Sequence, residues 1–210
     1  MTRHRFSRTP QLSTPARKRR QAVGRLAGWS LACAAALFAG AAAAPAPAHA
    51  ESGSSQALER RVKAAFLYKF LGYADFPASA FADAASPVTI GVVGSDEMAA
   101  ELARVVAGRQ VRGRQIVVRS LREGDPAQVH LLFVAGNDSA RTARILRAAP
   151  AALLPVTECE LGLQNGSVIN FRIIEERVRF DVSLDSAERN NVKLSSRLLT
   201  VANRVVKGNS

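Results

Sequence analysis

Beyond its first fifty residues the chain has few of the side chains from which metal sites and catalytic centres are usually built. His4 and His49 fall in that opening segment, which leaves His130 as the one histidine beyond it, and with Cys33 also inside it Cys159 is the one cysteine. A His or Cys metal cluster is therefore not available, and beyond residue 50 no intramolecular disulfide can form. Cys159 is open to two readings, a buried thiol and a thiol that bridges to another chain. A Ser-His-Asp site would have to recruit His130, which has no Gly-x-Ser-x-Gly turn nearby. The acidic residues show no pair whose spacing argues for general acid and base roles, so the residues point to no enzyme and to no cofactor.

Trp and Tyr are also scarce, one and two in the whole sequence, and the strong positive charge is unevenly placed. Residues 1–50 hold eight Lys or Arg and no Asp or Glu. Without them, 29 − 8 leaves 21 basic residues against 17 acidic ones, so the formal balance falls from +12 to +4. A mildly basic remainder offers no clustered surface for nucleic acid, and that class of partner is excluded.

The opening segment has its own pattern. Basic residues from Arg3 to Arg25 precede an apolar run from Leu26 to Ala44, and the segment ends Ala-His-Ala at 48–50. This is the order of a secretory signal, with Ala48 and Ala50 as the small residues at a cleavage site after Ala50. A membrane anchor would need about 20 strongly apolar residues, whereas this run is mostly alanine and is followed by Pro45 and Pro47. Lys18-Arg19-Arg20 leaves the export route open between a general and a twin-arginine signal.

The remainder is long enough for one domain. Residues 51–57 are expected to be a flexible polar N-terminus, and 58–206 an α/β domain. Leu58, Val62, Ala65, Phe66, Phe70 and Tyr73 recur at helical spacing opposite Glu59, Arg60 and Lys63, which predicts a helix to about Gly72. Strands are predicted over 88–93, 115–120, 129–135 and 153–157, with helices after Ser95 or Asp96 and over 139–149. That alternation gives a mostly parallel sheet flanked by helices, with 129–135 central. Strict alternation then predicts a β-hairpin, 168–173 and 177–182, turning at Ile174-Glu175-Glu176. A last helix from about Ser186 would carry Leu194, Leu198, Val201 and Val205 on one face.

Two surfaces are candidates for function. Gly94 and Ser95 form a turn between a strand end and a helix N-terminus, where free N–H groups favour anions. The turn lacks Gly-x-Gly-x-x-Gly and a phosphate-loop lysine, so it stands as the site of an alternative, small-molecule-binding role. Arg141, Arg144 and Arg147 share one helix side, and Arg172, Arg177 and Arg179 sit on the hairpin with Glu175 and Glu176. Arginines of this kind are either solvated or form the rim of a protein contact. Tyr68 is the aromatic residue expected to face outward beside them.

Three stretches, taken in order, carry a resemblance: 62–70 (VKAAFLYKF) with Phe76-Pro77, 130–134 (HLLFV), and 166–171 (GSVINF) through 178–182 (VRFDV) to 194–199 (LSSRLL). From about residue 58 to 205 the chain resembles the YfiR-like periplasmic proteins. The resemblance implies a non-enzymatic regulator that binds the periplasmic domain of an inner-membrane diguanylate cyclase, or of a related sensor such as a histidine kinase, and lowers cyclic di-GMP, limiting biofilm. It also implies an outer-membrane lipoprotein as a sequestering partner and a homodimer. Disulfide control inside the domain does not carry over to a chain with Cys159 alone. The contact surface expected from polarity is Arg172, Glu175, Arg177 and Arg179 with Tyr68 as an apolar anchor.

Overall fold

A computed structural model of the chain describes residues 49–125 and 128–208. Residues 1–48, with most of the expected export segment, lie outside the described residues. In chain order the elements are α1 (His49–Tyr73), β1 (Ala74–Asp75), a 3-10 turn (Ala78–Ala80), β2 (Val88–Val93), α2 (Asp96–Val106), β3 (Gln110–Val111) and β4 (Arg114–Leu121). They continue with β5 (Leu131–Val134), α3 (Ser139–Ala148), β6 (Leu154–Thr157), β7 (Ile169–Ile174), β8 (Arg177–Ser183), α4 (Leu184–Arg189), β9 (Lys193–Leu194), α5 (Ser196–Val201) and β10 (Arg204–Val206). Among the described residues no helix is long and apolar enough to cross a membrane.

Eight strands form one sheet in the order β10-β8-β7-β6-β5-β2-β4-β3, and β1 pairs separately with β9. All pairs from β4 through β7, and β8 with β10, are parallel; the β7–β8 hairpin and the short β3–β4 pair are antiparallel. β5 stands in the middle, as its unbroken apolar sequence requires of a strand covered on both faces. Leu131 and Phe133 join the large core under α1 and α2, while Leu132 and Val134 join a smaller cluster with Ile145 of α3.

The expected mixed α/β domain is present, with three differences in its elements. Helix α1 begins at His49 and takes in the polar 51–57 stretch expected to be flexible. Gln56 and Ala57 are good helix formers, and adding turns to an established helix costs far less than starting one. The pattern of α1 also differs. Lys63, expected on the outer face, is only 7% exposed, whereas Leu58 is 63% exposed.

The third difference is at the C-terminus, where no single helix carries Leu194, Leu198, Val201 and Val205. Asn191 enters the left-handed region at φ 52° and ends the chain's path out of α4, a conformation asparagine tolerates. Ser195 then caps a new helix by accepting the Leu198 N–H, and Val205 lies in a strand opposite Val182. Leu198 is buried but Val201 is 63% exposed, so the spacing of these apolar residues does not define one helical face.

The polar ends of β6 and β7 are covered by the segment 158–167, which lies directly on the sheet. Thr157 Oγ1 donates to Asn170 Oδ1 at 2.7 Å, and Asn170 Nδ2 donates to the Cys159 carbonyl at 3.0 Å. A Cβ at Gly162 would overlap both Thr157 Oγ1 and Asn170 Oδ1. Gly162→Ala is expected to lower the unfolding free energy by about 1–3 kcal/mol, read as a shift of the urea midpoint. An unchanged midpoint would mean that this segment lifts from the sheet without cost.

Candidate functional site

The carboxyl edge of β2 and β5 is the point where the chain leaves the sheet in opposite directions, to α2 on one face and to α3 on the other, and such a point is the usual place for a ligand crevice. Gly94 needs its φ of 90°, and a Cβ there would press on the Ala135 carbonyl oxygen and the Arg141 guanidinium, each 3.0 Å away. Ser95 accepts the Met98 N–H at 3.1 Å as the N-cap of α2 and donates to Glu97 Oε2 at 3.2 Å. With Asp96 and Glu97 in the first turn, acidic side chains already answer the helix N-terminus. Arg141 and Arg144 pair with Glu123 beside it.

The inner side of the same edge is closed by a charged cluster that the sequence pattern did not reveal. Lys63 of α1 ion-pairs with Glu59 one turn earlier and with Glu158 at 2.6 Å. The second oxygen of Glu158 accepts the Gly136 N–H at 2.7 Å. Burial works against charge on Lys63, but Glu158 and Glu59 outweigh it and hold the amine above its ordinary pKa. The Glu59–Lys63 spacing of four was the one available signal; the partner 95 positions away was not legible.

His130 is a structural residue. Its Nδ1 accepts the Thr89 N–H at 3.0 Å, its Nε2 lies 3.0 Å from the Ala80 carbonyl oxygen, and its ring stacks on Phe81 at 4.4 Å. Arg114 covers the other side of Phe81, 4.0 Å from the ring centroid. The imidazole thus fastens the 78–81 turn to the sheet. Cys159 is fully buried, which favours the buried-thiol reading over a bridge to another chain.

The hairpin residues lie together, as expected. Arg172 and Arg179 are directly opposed across β7 and β8, and Ile174 opposes Arg177. All four are exposed. Glu175 and Glu176, at φ 49° and 60°, make the two-residue turn, the left-handed pair that suits a hairpin's twist. Tyr68 is not part of this surface. It is half-buried against the core, with the Arg109 guanidinium 5.0 Å from its ring centroid. The aromatic residues of α1 that meet the hairpin are Phe66 and Phe70, and the exposed tyrosine is Tyr73, at 36%.

Burial holds the His130 pKa below its ordinary 6.5, with Arg114 acting in the same direction and the Ala80 carbonyl against it. The folded state therefore prefers neutral His130. Its contribution to stability is complete above the unfolded pKa and is lost as pH falls through the folded one. The melting temperature is expected to drop on acidification from about pH 7.5 to 5, and His130→Gln to flatten that drop. Parallel pH profiles for the two proteins would show that His130 contributes nothing to it.

None of the curated proteins compared matches the chain. Among solved structures, an ABC domain from Streptococcus pneumonia in complex with L-Trp aligns with a TM-score of 0.42 and 9% identity, over 57% of this chain and 55% of that one. A likeness that slight carries no argument. A family model described as YfiR/HmsC-like (DUF4154) matches residues 60–203. That span runs from the inner helix α1 through the hairpin to α5, and the chain belongs to the YfiR/HmsC-like family, whose YfiR-like members are periplasmic regulators in cyclic di-GMP signalling.

Proposed function

We propose that this chain is exported through a signal cleaved after Ala50 and represses an inner-membrane diguanylate cyclase by binding its periplasmic domain, so lowering cyclic di-GMP. The observation that carries this reading is the family match across residues 60–203, in a family that is regulatory rather than catalytic. A repressor of this kind needs only to bind one state of its sensor more tightly than another. The contact surface is the exposed face of the hairpin, with Arg172, Arg177 and Arg179 and the turn residue Glu175. A sensor kinase in place of the cyclase, and an outer-membrane lipoprotein that withdraws the repressor, fit the same surface logic.

Deleting the gene is expected to raise intracellular cyclic di-GMP, and a complementing copy of the exported protein to restore it. A level unmoved by deletion, in cells shown by immunoblot to express the protein, would defeat the repression reading.

A further inference from the structure

The face of β7, β8 and β10 turned away from α1 has a distribution of charge that the domain itself leaves unbalanced. Arg172 and Arg179 sit side by side across the hairpin, where like charges repel and destabilise the sheet. Among the described residues neither they nor Arg177 form an ion pair. Arg172 reaches only the Glu160 carbonyl oxygen, at 3.4 Å. The acid within the strands of this face, Asp181, is buried and committed: it accepts from Asn203 Nδ2 at 2.7 Å and pairs with Arg204 at 3.3 Å. Glu175 and Glu176 are held in the turn and make no ion pair either.

We infer that this face is the recognition surface for an acidic patch on a protein partner, whose carboxylates fit between Arg172 and Arg179 and beside Arg177. The inference deepens the proposed function and rests on its choice of surface, but not on the partner being a cyclase. Guanidinium groups are suited to bidentate contact with carboxylates. Their placement on a hydrogen-bonded hairpin holds the backbone beneath them before binding, which reduces the entropy cost of docking. Ile174, opposite Arg177 on the same face, is exposed and supplies apolar contact beside the charges. A protein fits this mixture better than a lipid surface, because the turn glutamates at the tip would oppose an anionic membrane.

The opposed arginines allow stability and docking to be moved in opposite directions. Arg172→Glu converts the repulsive pair into an attractive one, so the purified domain should melt roughly 1–3 °C higher. In the cell the same change should weaken docking by about tenfold or more, while Arg172→Lys keeps most of it. Docking is read from a photo-cross-linking residue placed at Ile174, with the adduct's partner peptide sequenced. The expected result is a protein adduct whose peptide carries Asp or Glu, lost in the Arg172→Glu background and retained in Arg172→Lys. No protein adduct, an adduct to lipid, a peptide without acidic residues, or an adduct unchanged by Arg172→Glu would each overturn the inference. Cyclic di-GMP measured in the same strains separates it from the repression reading. A charge-dependent adduct in cells whose cyclic di-GMP ignores the protein keeps the acidic partner and rejects the cyclase. Repression that persists fully in Arg172→Glu does the reverse.

Discussion

The direction in which the hairpin presents its side chains depends on how α1 is clamped to it. Phe66 and Phe70, one turn apart on α1, meet Phe171 and Phe180, which are opposite each other on β7 and β8, at ring-centroid separations of 5.0–6.2 Å. Phe133 of the central strand touches Phe171 at 6.1 Å. Contacts of this type add about 0.5–1.5 kcal/mol each beyond the area they bury. They also fix orientation. Because side chains alternate along a strand, anchoring Phe171 and Phe180 inward obliges Arg172 and Arg179 to point outward.

The two faces of the sheet are covered unequally, and the polar residues follow that inequality. One face carries α1, α2 and most of the core. The other has α3 over β2 and β5, then the 158–167 segment over β6 and β7, where Thr157 and Asn170 bond to each other and to that segment. Buried polar groups there are satisfied in keeping with their high cost when left unpaired. Past Asp181 the covering stops, and the strands continue bare to the turn.

The central strands, the hairpin and its turn were legible because each rests on local periodicity: β5 is apolar at every position, and the hairpin alternates around a short polar turn. The same logic placed Arg172, Arg177 and Arg179 together. It failed where a long-range partner reversed a local preference. Lys63 has the composition of a solvent-facing residue, yet Glu158 draws it inward. Tyr68 has the look of a surface anchor, but the turn that follows α2 supplies Arg109 as a lid. At the C-terminus apolar spacing mimicked a helix, and only the capping chemistry of Asn191 and Ser195 showed the breaks.

The opposed arginines also govern how copies of the chain meet one another. Two hairpin faces brought together would confront arginine with arginine, and the repulsion would grow as water was squeezed out between them. Self-assembly in that arginine-on-arginine register is therefore disfavoured, and a surface of opposite sign is the better match for this face whether the protein travels singly or in pairs.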